Sequence, residues 1–233
     1  MAYKIVQLTL EMPVGEGKEK IHPTLIIEDE ETILVDCGFT GALPQLQQEL
    51  KRHGIDLQKL TALVLTHHTH DHMGTAALLK QTNPNIKIYA TAKEETSISA
   101  KQKPLRLQQA EEMQKHLLPQ QQASGNAFCA MLRRVEPVEV DVLLQEGDCL
   151  NWCGGCCVLQ TPGHTPGHLS LWMEKENLVI TGDAMVVEKG KPAVANPQFA
   201  LDLQQAEKSL KKLLNLKAGQ YYCYHGGIYL PVY

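Results

Sequence analysis

The stretch Thr66-His67-His68-Thr69-His70-Asp71-His72-Met73-Gly74 constrains this chain more than any other. It follows directly on Ala62-Leu63-Val64-Leu65, a short apolar run of the kind buried on both faces of a sheet. Four histidines and an aspartate within six residues are hard to explain as surface composition. Imidazole and carboxylate are ligands that zinc, iron and manganese accept, and a loop leaving a buried strand aims several of them at one point. Asp71 and His72 also lie near the start of the next predicted helix, where the helix dipole favours a carboxylate.

Four further stretches carry chemistry, each just after a predicted strand. In Thr161-Pro162-Gly163-His164-Thr165-Pro166-Gly167-His168 the glycines and prolines fix a tight loop, so His164 is held in place. Asp183 follows the strand Leu178-Val179-Ile180 in Thr181-Gly182-Asp183, and its two oxygens could bridge two cations. His225 ends a strand before Gly226-Gly227, and Asp36 ends one in Leu34-Val35-Asp36-Cys37-Gly38. Asp36 is expected to orient a metal ligand rather than bind metal itself. His22, His53 and His116 read as surface or cap residues, and His168 as a loop hydrogen-bonder.

The periodicity predicts strands at 4–10, 24–28, 32–36, 61–66 and 86–90, then at 138–144, 149–153, 156–160, 169–173, 178–181 and 220–224. Helices are predicted at 43–53, 74–82 and 202–215, with Gly54 at the first helix's end. The Gln- and Lys-rich segment from about 93 to 134 reads as two or three helices appended to the core of a single domain spanning 1–233. Two strand-rich halves with helices imply two sheets packed face to face, helices outside.

Charged residues make up 21% of the chain and the net charge is −4, with no cluster of Lys and Arg among aromatics. That excludes the electrostatic footprint of a nucleic-acid partner. No apolar run approaches the ~20 residues that span a bilayer, and the N-terminus lacks the order of a secretory signal. A cytoplasmic protein with no membrane partner is the expectation, so the seven cysteines are expected to be reduced. Cys153-Gly154-Gly155-Cys156 has the spacing of a zinc knuckle but lacks a second pair, and reads better as a hairpin turn in the cluster Cys149, Cys153, Cys156, Cys157.

Taken in order, Asp36-Cys37-Gly38, the His-rich loop ending in Asp71-His72, Thr161-Pro162-Gly163-His164-Thr165, Gly182-Asp183 and His225 resemble the metallo-β-lactamase superfamily from about residue 3 to 227. The resemblance implies an α/β (α+β) fold, a four-layer αββα sandwich with metals at one edge between the sheets. It also implies a first metal on His67 and His164, a second on Asp71, His72 and His225, and Asp183 bridging them. One or two zinc ions are expected, with iron or manganese as alternatives. The superfamily's loop reads His-x-His-x-Asp-His, however, and anchoring it on Asp71-His72 puts Thr69 where the second histidine belongs. His70 stands one place late and is a candidate substitute ligand.

The activity so implied is hydrolysis of a small-molecule ester, thioester or lactone by metal-bound hydroxide, with Asp71 orienting the water and shuttling the proton. The glyoxalase II and lactonase branch fits in outline. Yet Val186 stands where a quorum-signal lactonase would place a tyrosine, and only eight residues follow His225. Two alternatives stay open. One is a mononuclear iron oxygenase resembling persulfide dioxygenases, using His67, His164 and Asp183; the other is a non-catalytic metal-binding or sensing protein with a damaged site.

Overall fold

Alternation along the central strands sends their side chains into two separate cores. The computed structural model describes residues 3–15 and 17–232. Leu25, Leu34, Leu63 and Ile88 point one way, against helix residues Leu46, Leu50 and Leu79. Their neighbours Ile26, Ile33, Val35, Ala62 and Val64 point the other way, against Val158, Leu171 and Ile180 of a second sheet. A third core packs Val179, Tyr221 and Cys223 beneath Leu213. The layers therefore run helix, sheet, sheet, helix, which is the αββα sandwich expected from the sequence.

The first sheet orders its strands Lys4–Gln7, Thr24–Ile27, Thr32–Val35, Ala62–Val64, Lys87–Thr91 and Val142–Leu144. Pairing is antiparallel up to Thr32–Val35 and parallel beyond it. The second sheet orders Gly227–Tyr229, Gln220–Cys223, Leu178–Gly182, Leu169–Met173, Cys156–Gln160 and Cys149–Leu150. Its one parallel pair joins Leu178–Gly182 to Gln220–Cys223. Parallel pairing at Thr32–Val35 and Ala62–Val64 brings the ends bearing Asp36 and the His-rich loop together. The parallel pair in the other sheet does the same for Asp183 and His225.

Leu43–Arg52 buries Leu46 and Leu50, and its chain reverses at Gly54 with φ of 75°. Leu203–Asn215 starts on Asp202, whose side chain accepts from the Gln205 amide. The helix predicted at 74–82 begins earlier and is broken, as His70–Met73 and Ala76–Thr82. Gly74 lies at the break because the chain there rests on the 38–40 loop; a Cβ would stand 2.3 Å from the Thr40 amide nitrogen. The segment from 93 to 134 holds Ala92–Ile98, Leu105–Gln114 and Gln122–Leu132, the last two packed on a small core of Ala110, Cys129 and Leu132.

Three strand expectations change, the one predicted at 138–144 being only Val142–Leu144. The first strand stops at Gln7, and Leu10–Val14 pairs with Gly17–Ile21 as a separate hairpin, whose charged Gly17-Lys18-Glu19-Lys20 run hides any apolar alternation. The strand predicted at 149–153 is only Cys149–Leu150, followed by a tight turn at Trp152–Gly154. Nor are all the thiols reduced: Cys149 and Cys157, directly opposite across two strands, form a disulfide. Facing positions on adjacent strands bring the two sulfurs together, a pairing that sequence spacing alone did not reveal. No helix among the described residues is long and apolar enough to cross a membrane.

Candidate metal centre

Asp36 organises the centre from beneath. Its backbone is left-handed, with φ of 58°, an uncommon state that functional loops often retain. In that state its carboxylate accepts from the Thr66 amide at 2.9 Å, the Thr66 hydroxyl at 2.8 Å and His72 Nδ1 at 2.8 Å. Because the Thr66 hydroxyl donates to Asp36, it accepts from His67 Nδ1 at 3.0 Å. One carboxylate thus orients two imidazoles with Nδ1–H toward Asp36 and Thr66 and turns each Nε2 inward, the face a metal would take on displacing any proton there. Glu19 of the early hairpin does the same for His225, 2.9 Å from its Nδ1. Tyr224 stacks on His72 at 3.8 Å and donates its hydroxyl to the Asp71 carbonyl.

Above this base Asp183 turns its two oxygens in different directions. Oδ1 lies 3.3 Å from His72 Nε2 and 3.6 Å from His225 Nε2. Asp71 Oδ2 closes the same group, 3.2 Å from His225 Nε2 and 3.9 Å from His72 Nε2. Two ligands at ~2.1 Å from a tetrahedral ion stand ~3.4 Å apart, so these separations are of coordination size; Asp71, His72 and His225 form one group that could hold a metal, and His67, His72 and Asp183 form another. His72 Nε2 and Asp183 Oδ1 are buried and make no hydrogen bond, which is costly unless something else satisfies them. The residues at this second position fit a metal ion.

The first position is different. Asp183 Oδ2 lies 3.4 Å from His164 Nε2 and 3.9 Å from His67 Nε2. Both nitrogens are already engaged: Thr69 Oγ1 is 2.6 Å from His67 Nε2, and Arg106 Nη2 is 3.1 Å from His164 Nε2. His70 does not join either position. Its ring packs against Phe128 at 5.9 Å, and only its Nδ1 comes near Asp71 Oδ1, at 3.4 Å.

Charge sharpens the contrast between the two sides. Burial alone would lower the pKa of His72, but Asp183, Asp36 and Asp71 outweigh it and push it up to about 10. His225 is likewise held well above the ordinary histidine range by Asp183, Asp71 and Glu19 against the effect of burial. Burial instead pushes His164 down to about 4, and His67 falls well below its usual value from burial and neighbouring imidazoles. The second position is a well of negative charge; the first is not.

A cavity of about 450 Å³ opens over the centre. Met12 and Val14 of the hairpin form one wall, Phe128 and Met131 of the appended helices another, and Phe199 a third. Asp71, His164, Asp183 and His225 reach its floor.

A family model for the metallo-beta-lactamase superfamily matches residues 18–225. The chain belongs to the metallo-beta-lactamase superfamily. The probable metallo-hydrolase YflN of Bacillus subtilis strain 168 is 24% identical over 216 residues, covering 85% of this chain and 76% of that protein. The probable metallo-hydrolase YqjP of the same strain is 23% identical over 229 residues, with 91% and 68% covered. A metallo-beta-lactamase family protein of Thermus thermophilus superposes with a TM-score of 0.76 at 23% identity, covering 97% of this chain and 74% of the other. This last likeness speaks to the fold.

Of the residues that the sequence singled out, the superfamily fold brings His67, Asp71, His72, His164, Asp183 and His225 into one cluster, with Asp36 beneath and Thr69 against His67. His168 stays outside, taking the Asp183 amide on Nε2 at 2.8 Å. His68 is drawn away to a buried pair with Glu94. Arg106, Glu19 and Tyr224 escaped the sequence reading. Tyr224 could have been found by adjacency to His225, whereas Arg106 sits in a Gln-rich helix that reads as solvent-facing.

Proposed function

We propose that this chain is a metal-dependent hydrolase of a small-molecule ester, thioester or lactone, with its metal on Asp71, His72, Asp183 and His225. One observation carries the reading: two orphaned buried ligand atoms, His72 Nε2 and Asp183 Oδ1, face each other at coordination spacing beneath an open cavity. The names of the Bacillus relatives agree with hydrolysis in general. Zinc fits a set of two imidazoles and two carboxylates, and manganese or iron are the alternatives.

A bound ion would lower the pKa of its water toward ~7 and polarise the scissile carbonyl. The chain's own groups do the rest. Asp36 and Glu19 hold His72 and His225 by Nδ1 with Nε2 turned inward, where a bound ion would replace any proton. Asp71 turns Oδ2 toward His225 and Oδ1 toward His70 Nδ1, at 3.4 Å, and as a residue lining the cavity its carboxylate can take a proton from the attacking water and return it to the leaving group. The apolar walls from Met12, Phe128 and Phe199 suit an acyl or ring substituent and displace water from around the reacting carbonyl.

The test is a panel of aryl esters, acyl thioesters and γ-lactones with protein purified without chelator. Turnover that chelation abolishes, zinc restores and Asp71→Ala removes supports the reading. Poor metal binding with no turnover on any class would favour the sensing alternative. The oxygenase alternative draws on His67 and His164, whose inward nitrogens Thr69 and Arg106 engage; iron content with oxygen uptake would favour it instead.

A further inference from the structure

Arg106 is an unusual group to find at this centre. It is 4% exposed, and it is the only guanidinium or ammonium group among the described residues lining the cavity. Its position is fixed from several sides. Nη1 donates to the Gln109 side chain and to the Phe199 carbonyl, and the guanidinium carbon stands 5.7 Å from the Phe199 ring centre. Its own backbone amide donates to His68 Nε2 at 3.3 Å, and His68 is clamped by Glu94. Glu94 in turn accepts from the Gly167 amide at 2.7 Å, tying the helix to the loop that carries His164.

A guanidinium has donors and no acceptor, and it stays protonated in proteins. Its 3.1 Å contact to His164 Nε2 is therefore a hydrogen bond that consumes the lone pair a metal would need there. On the opposite side, Thr69 Oγ1 meets His67 Nε2 at 2.6 Å; with Nδ1–H turned to Thr66, that nitrogen can only accept. The inward Nε2 atoms of both imidazoles at the first position are thus engaged from within the chain, while His164 Nδ1 is buried without a partner, and a permanent positive charge stands beside them. A dication placed there would have to break both hydrogen bonds and sit against that charge in a desolvated pocket. Among the described residues lining the cavity no other guanidinium or ammonium opposes a cation at the second position, where His72 Nε2 and Asp183 Oδ1 are orphaned.

We propose that this chain holds a single metal ion, at the second position, and that Arg106 replaces the first metal as a fixed cation facing the substrate. Nη2 sits on the cavity floor beside His164, so it can take an anionic or carbonyl oxygen of the substrate while the ion takes the other side of the reacting group. The preferred substrates are then ones that present a carboxylate or strongly polarised carbonyl to a guanidinium. This rests on the hydrolase reading for the location of the metal, but the number of ions is independent of turnover.

The experiment is zinc stoichiometry by elemental analysis after titration and gel filtration, on four proteins: wild type, His225→Ala, His164→Ala, and the double variant Thr69→His with Arg106→Met. The expected counts are one ion for wild type and His164→Ala, none for His225→Ala, and two for the folded double variant. Arg106→Met alone should lower kcat/KM about 100-fold or more while leaving the single tight ion, and Arg106→Lys should recover part of that loss. Two tightly bound ions in wild type would overturn the inference and leave the hydrolase reading standing. No bound ion at all would overturn both. Loss of the ion in His164→Ala, or a folded double variant that still binds one, would also overturn it, and the wild-type count decides even if the double variant does not fold.

Discussion

Replacing Asp36 by asparagine probes how the metal ligands are held, because it keeps the shape and removes the charge. Asp36 is 1% exposed and receives three hydrogen bonds, from the Thr66 amide, the Thr66 hydroxyl and His72 Nδ1. An asparagine side chain offers one acceptor oxygen, and its amide group would face donors. At least one buried donor is left unpaired, a cost of about 1–3 kcal/mol in the stability of the metal-free protein. The imidazole of His72 also loses the carboxylate that fixes its tautomer, and losing such support lowers metal affinity about 10- to 100-fold, or about 1.4–2.7 kcal/mol. Glu19→Gln is the matched comparison, since Glu19 makes the same kind of bond to His225 but its side chain is 48% exposed. There solvent screens the loss, and the expected change in affinity is about threefold or less. Zinc competition against a fluorescent chelator measures both variants, with thermal unfolding of the metal-free proteins alongside. Equal or reversed effects of the two substitutions would refute the argument that burial of the Asp36 carboxylate positions His72.

Three further outcomes are expected. Gly163→Ala should destabilise the fold by roughly 2 kcal/mol or more, because φ is 130° and a Cβ would stand 2.1 Å from the Ala206 amide nitrogen; thermal unfolding reads this. Phe128→Ala removes a wall of the cavity and should raise KM about tenfold with metal content unchanged; a loss of metal would mean that the appended helices support the centre itself. Thiol titration of denatured, unreduced protein should find five reactive cysteines rather than seven, with Cys149 and Cys157 blocked.

What the sequence disclosed followed from local rules. Alternation and short apolar runs at Leu34-Val35 and Leu63-Val64 marked strands buried on both faces, and the chemical residues stood out because each followed one. Less visible were elements whose reason is tertiary. The hairpin bearing Met12 and Glu19 is charged along one strand, so its pairing is decided by the cleft it borders rather than by its own pattern. Sequence order could not say whether Thr69 or His70 would face His67. That depends on the turn entering the helix at His70, which sends the His70 ring toward Phe128 and the Thr69 hydroxyl inward. Arg106 was hidden for a similar reason: only the packing of its helix over the His164 loop turns a residue of a polar segment into a buried cation.

Anomalous scattering at the zinc absorption edge, on crystals of protein purified without chelator, tests the central claim most directly. One peak is expected, about 2.0–2.2 Å from His72 Nε2 and His225 Nε2 and within reach of Asp71 and Asp183, with the Arg106 guanidinium still against His164. A peak held by His67 and His164, or density for an ion where Arg106 now stands, would contradict it.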